Sequence, residues 1–98
     1  MFQKGDLCKH FKGKDLNEKN IYRILEVGVT YSGDASTNPI QNLVVYENVF
    51  QGKKIAREME DLVAELPAEK QEFYGQVHRV EKLSQEELAI VVKMMNNK

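Results

Sequence analysis

"IYRILEVGVTYS", residues 21–32, decides the fold class. Its residues alternate. Ile21, Leu25, Val27, Val29 and Tyr31 share one parity, interrupted by Arg23, and Tyr22, Ile24, Glu26, Gly28 and Thr30 share the other. A two-residue period rich in β-branched and aromatic side chains specifies a strand rather than a helix. Gly28 within it marks a bulge or sharp bend of the kind a small barrel needs.

Working outward, "SGDASTNP" (32–39) has the chemistry of a loop, and "NLVVYENVF" (42–50) reads as a second strand. "QGKK" (51–54) is a tight turn into "KIAR" (54–57), so three strands form an antiparallel meander. The period then changes. In "REMEDLVAEL" (57–66), Met59, Leu62, Val63 and Leu66 fall at i, i+3, i+4 and i+7, a short amphipathic helix stopped by Pro67. "GQVHRVEKL" (75–83) returns to strand character. Upstream, "GDLCKHF" (5–11) is a strand that exits into the turn-rich "KGKDLNEKN" (12–20).

From Ser84 a second helix is expected. Ser84 and Glu87 have capping-box spacing, and Leu88, Val91, Val92 and Met95 form an apolar stripe that runs out at Asn96 and Asn97. The expected fold is therefore mainly β: a small SH3-like β-barrel over residues 1–82, with one short internal helix and a C-terminal α-helix over 83–98. That helix packs on the barrel or on a partner, a dimer through it being one option.

The chain has 98 residues, enough for one domain with a modest core. It holds no apolar run of the roughly 18 residues a membrane span requires. "MFQKGDLCKHF" shows no secretory h-region, and the one cysteine, Cys8, rules out an internal disulfide framework. A cytoplasmic location is the expectation. Net charge is −1, but residues 1–23 carry six Lys or Arg against three acids, and residues 57–98 carry six against nine. That N-terminal excess is small for a nucleic-acid-binding surface, and weak single-strand binding through it is the alternative function. No phosphate loop, dinucleotide fingerprint, nucleophile elbow or HExxH motif occurs.

"CKHFKGK" (8–14) concentrates reactive types. Cys8 and His10 share a strand face, but as a zinc site they are two ligands short, and the other histidine, His78, is distant in sequence. Their side chains run parallel, a poor geometry for proton transfer, so a Cys-dependent enzyme ranks last and Cys8 reads as a core thiol. His10 with Lys12 offers a small anion contact, Gly13 letting the backbone approach; the competing role for His10 is to bond a neighbouring loop. Tyr22, Tyr31 and Tyr46 would line a peptide or single-strand platform if exposed, or cover the core with hydroxyls at its rim. Arg57, flanked by Glu58 and Glu60, is expected in an ion pair at a sheet edge. The acid-rich run from Glu58 to Glu72 reads as a solvated helix face. No cofactor or metal is implied. The ligand-binding candidates are His10, Lys12, Tyr22, Tyr46 and Arg57, in a non-catalytic binding or adaptor module for a protein or peptide partner.

Taken in order, "KHFKGK", "IYRILEVGVTYS", "LVVYENVF" and the Arg of "AREMEDL" resemble domain-of-unknown-function family 1653 over about residues 5–82. His10, Phe11, Lys12 and Gly13 match its first motif, Tyr22, Val27 and Gly28 its second, Val44, Val45 and Tyr46 its third, and Arg57 its fourth. Glu58 stands where the family has Pro, Leu62 where an aromatic is usual, and the chain has no Trp. The resemblance implies a bacterial domain with an SH3-like barrel and assigns it no activity. Because the resemblance ends before residue 83, a chain ending at Lys82 is expected to keep a cooperative thermal transition by circular dichroism. Loss of that transition would make the helix part of the folding core.

Overall fold

The computed structural model describes residues 2–12, 15–32 and 40–97. Gly13, Lys14 and nearly all of the 32–39 loop lie outside the described residues. The strands are β1 (Leu7–His10), β2 (Ile21–Tyr31), β3 (Ile40–Asn48), β4 (Lys54–Glu58) and β5 (Val80–Lys82). The helices are α1 (Met59–Val63), α2 (Ala68–Tyr74) and α3 (Gln85–Asn96). All five strands form one antiparallel sheet in the order β4-β3-β2-β1-β5. The meander is as expected from the alternation, and the chain then returns so that β5 pairs with β1.

The sheet is mainly β as expected but is not closed into a barrel, because β4 and β5 are its two edges and do not pair. It is nevertheless curled. Adjacent strands lie about 4.8 Å apart, so in a flat sheet α1 could not meet both edges. Here α1 touches β3, β4 and β5. Its Met59 and Leu62 join Phe2, Cys8, Ile24, Val44, Tyr46 and Val80 in one buried cluster. The chain turns into α1 directly after β4, and the helix occupies the gap that strand pairing would have closed. Burying side chains such as Ile24 and Leu62 stabilises the fold by about 1.5–3 kcal/mol each.

Gly28 does form a bulge. Its φ is +67°, in the left-handed region, and the β2–β3 register shifts between Glu26 and Val29. Only the first half of β2 is in the core: Ile21 and Ile24 are buried, whereas Val27 and Tyr31 are exposed. The β3–β4 turn is built around Gly52, at φ +72°, whose N–H donates to the Asn48 carbonyl.

Three further expectations need correction. The internal helix is shorter than its periodicity suggests: α1 ends at Val63, Ala64 is extended, and Glu65 forms an isolated bridge with His78. Leu66 is buried outside the helix and Val63 is exposed, because this bridge overrides the local helical period. Secondly, α2 follows Pro67 as an additional helix. None of its residues is buried, so it has no apolar stripe to announce it. Thirdly, the strand expected over 75–83 shrinks to Val80–Lys82. Among the described residues, no helix is long and apolar enough to cross a membrane.

Helix α3 begins as read from sequence: the Ser84 hydroxyl accepts from the Glu87 N–H, and the Glu87 carboxylate accepts from the Ser84 N–H. Glu87 also pairs with Lys9, whose side chain lies on the face of β1 opposite Cys8 and His10. That pair places α3 over the sheet's second face. Ile21, the register partner of Lys9, is fully buried there, as is Val91 of the helix. Of the rest of the apolar stripe, Met95 is half-buried, whereas Leu88 and Val92 are exposed, together with Ile90.

Two buried asparagines set the loops. Asn20 Nδ2 donates to the Asp15 carbonyl and its Oδ1 accepts from the Asn17 N–H. Asn48 Nδ2 donates to the Glu18 carbonyl, and its Oδ1 accepts from the Phe50 and Gln51 N–H groups. Asn48 thus ties the β1–β2 loop to the β3–β4 turn. Replacing Asn48 with Ala should lower unfolding stability by about 2–3 kcal/mol in urea titrations, because three hydrogen bonds are lost at a buried position. A loss below 0.5 kcal/mol would mean the two loops are held by something else.

Candidate functional site

The candidate site forms where β1 leaves the sheet. Strand alternation and register place Cys8 and His10 of β1, Tyr22 and Ile24 of β2, Val44 and Tyr46 of β3, and Ile55 and Arg57 of β4 on the inner face. Four of the five sequence candidates therefore share this face in a diagonal row. The His10 and Tyr22 ring centroids are 6.4 Å apart, and Tyr22 meets Tyr46 edge-on at 5.2 Å. Arg57 lies diagonally across from Tyr46 on this face, since Tyr46 is the register partner of Ile55. Lys12, exposed just past the strand, completes the set through its backbone: its N–H donates to His10 Nδ1 at 3.2 Å.

The tyrosines do not make an exposed platform. Tyr46 is 2% exposed and belongs to the core, Tyr22 is half-buried, and Tyr31 lies at the far end of β2. Of the two roles open to Tyr22 and Tyr46, the geometry takes the rim of the core. Burial raises the Tyr46 hydroxyl pKa, with the Arg57 charge opposing the rise.

Arg57 departs from expectation. Among the described residues it makes no ion pair with a carboxylate, Glu58 and Glu60 included. Neighbours in a strand point to opposite faces, so Glu58 is turned away from Arg57, and Glu60 belongs to α1.

Sequence reading missed the site's fourth wall, the segment 76–79. Phe11 is buried, stacked on His10 at 4.7 Å and met edge-on by Tyr74 at 5.3 Å. The Arg79 guanidinium and the Lys70 ammonium each lie 5.6 Å from its ring centroid, within cation–π range. Arg79 is fixed through its backbone, since its carbonyl accepts from the Phe11 N–H and its N–H donates to the Ala64 carbonyl. Buried Gln76 secures the same segment: its Nε2 donates to the His78 carbonyl at 2.8 Å and to the Lys9 and Arg79 carbonyls at 3.3 Å. Glu81 accepts from the Val77 and His78 N–H groups and pairs with the His78 ring. No local motif signals this arrangement, because it appears only once β5 has docked on β1.

The electrostatics are one-sided. Burial, then the cations of Arg79, Lys12 and Arg57, push the His10 imidazole down to about 4. His10 is thus neutral near pH 7, with Nδ1 accepting from the Lys12 amide and the ring proton on Nε2. None of Lys12, Arg57, Lys70 and Arg79 makes an ion pair among the described residues. By contrast, Lys4 pairs with Glu26 and Lys9 with Glu87.

Cys8 is fully buried, and its thiol donates to the Tyr22 carbonyl at 3.6 Å. Burial, with the Asp6 charge, pushes the thiol up to about 12. A thiol held protonated in the core is a packing residue and a poor nucleophile. Among the described residues, no three His, Cys, Asp or Glu side chains gather as a metal site would require. Comparison with family models, curated proteins and solved structures found no match to this chain.

The pH behaviour follows from His10. Its folded pKa lies below the unfolded value near 6.5, so the unfolded chain takes up the proton first as pH falls. His10 therefore costs nothing above pH 6.5, and stability declines as pH falls from there towards 4. Urea unfolding at pH 7.0 and 4.5 should show this decline, and His10→Gln should flatten it. A His10→Gln chain with the wild-type slope would contradict the assignment.

Proposed function

We propose that this protein is a non-catalytic binding module that engages an acidic segment of a protein partner at the His10–Arg57 rim. The observation that carries the reading is that Lys12, Arg57 and Arg79 all bring positive charge to bear on His10 while, among the described residues, none of them makes an ion pair, in a chain whose net charge is −1. Cations left unpaired in this way are the electrostatic complement of an anionic partner. The tyrosine row supports a protein partner over a nucleic acid. Single-strand binding draws on exposed ring faces for base stacking, and Tyr46 and Phe11 are both 2% exposed.

In this reading the fold is an SH3-like barrel left unclosed, in a bacterial, cytoplasmic domain akin to the family its motifs resemble. The four-strand meander, the bulged β2, the return of β5 to β1 and the curl of the sheet support it.

Fluorescence anisotropy with three labelled probes tests the function: a 12-residue Glu/Gly peptide, its Lys/Gly counterpart and a 12-nucleotide oligothymidylate. The acidic peptide should bind, weaken with salt, and lose at least fivefold in Arg57→Gln and Arg79→Gln chains. Tighter binding of the oligothymidylate would move the function to nucleic acid, and equal binding of the two peptides would sink the reading.

A further inference from the structure

We infer that the protein self-associates through edge strand β4, which pairs antiparallel with β4 of a second copy about a two-fold axis at Ala56. This goes beyond the acidic-partner reading and does not rest on it. β4 is one of the two edges of the sheet, and its Lys54, Ala56, Arg57 and Glu58 are all exposed. The other edge, β5, is shorter and is touched by α1. An exposed edge is a template for another strand, and proteins blunt such edges with proline, a bulge or a covering element. β4 has no proline, and its register on β3 is unbroken from Lys54 to Glu58. α1 turns inward from its end, burying Met59 and Leu62 in the core.

The open backbone groups set the register. The Asn48 N–H donates to the Lys53 carbonyl at 2.8 Å. Bonded pairs alternate along an antiparallel ladder, so Ile55 and Arg57 direct their backbone groups to β3, and Lys54, Ala56 and Glu58 direct theirs outward. None of these three bonds through its backbone to a turn or loop. With the axis at Ala56, the two copies of Ala56 exchange both backbone bonds, and each Lys54 stands opposite a Glu58. The Glu58 N–H donates to the Lys54 carbonyl of the second copy, while the Glu58 carbonyl stays with α1, whose N-cap it is.

The side chains favour the same register. Opposite charges directly across a strand pair are stabilising, and this pairing sets one such contact at each end. Neither Lys54 nor Glu58 makes an ion pair among the described residues, and across β3 Glu58 faces Leu43. On the other face each Arg57 meets Ile55 of the second copy. An axis at Arg57 would set the two arginines directly opposite, and an axis at Ile55 would leave Glu58 beyond the paired residues. The strand has 5 residues, too few to bury the roughly 1,200 Å² at the lower end of stable interfaces. The dimer is therefore in exchange with the monomer and depends on concentration.

Sedimentation velocity of the full chain, over about a hundredfold range of concentration, reads this exchange. The average mass should rise from monomer towards dimer. Ala56→Pro removes a donor that β3 does not use, so the fold should survive and the dimer should be lost. Glu58→Lys sets like charges opposite at both ends and should weaken association about tenfold. Adding Lys54→Glu to that variant restores opposite charges and should recover the dimer. Circular dichroism melts establish that each variant is folded, and should Ala56→Pro not fold, the charge exchange alone decides. A chain that is monomeric at every concentration would overturn the proposal, as would a Glu58→Lys defect that Lys54→Glu leaves unrepaired. A dimer untouched by Ala56→Pro but broken by Leu88→Glu would place the contact on α3 and overturn it too.

Discussion

The structure depends on β1 being paired along both of its edges. Four residues, Leu7–His10, bond to β2 on one side and to β5 on the other. This brings residues near the start of the chain against residues near its end, and it is the one long-range closure in an otherwise sequential meander. Such a pairing has a high loop-closure cost, which is offset by what the same four residues bury. Cys8 enters the core on one face, and Lys9 anchors α3 through Glu87 on the other.

The candidate site is a consequence of that closure. Docking β5 draws the 76–79 segment across the exit of β1, where Gln76 and Glu81 supply its hydrogen bonds. Arg79 is then committed to Phe11, and Arg57 adds its charge from edge strand β4. The result is an imidazole kept neutral by burial and by cations. A neutral histidine, two arginines and a lysine beside buried aromatics leave this end of the sheet rich in positive charge, and the proposed binding function rests on that.

The sequence revealed those parts of the fold whose signals are local. Alternation marked β2 and β3, Gly28 marked the bulge, and the Ser84–Glu87 spacing marked the start of α3. Where tertiary contacts decide, it fell short. The Glu65–His78 bridge cut α1 short, and α2 has no buried residue to give it a period. His10, Lys12, Tyr22, Tyr46 and Arg57 were each visible as types, but their convergence was not, because it requires register and curl. Arg79 and Gln76 were invisible as site residues for the same reason. The expected Arg57 ion pair failed on strand geometry, since Glu58 is adjacent in sequence but opposite in face.

The central claim is that this rim exists to meet negative charge, and His10 reports on it directly. The chain has two histidines, so a His78→Gln variant leaves one imidazole to follow by NMR. Its pKa would be measured alone and then with a saturating acidic peptide. An anion seated beside Arg57 and Arg79 must raise the His10 pKa from its depressed value near 4, and the account predicts that rise. Saturated binding with the His10 pKa unmoved would place the partner elsewhere and contradict the account.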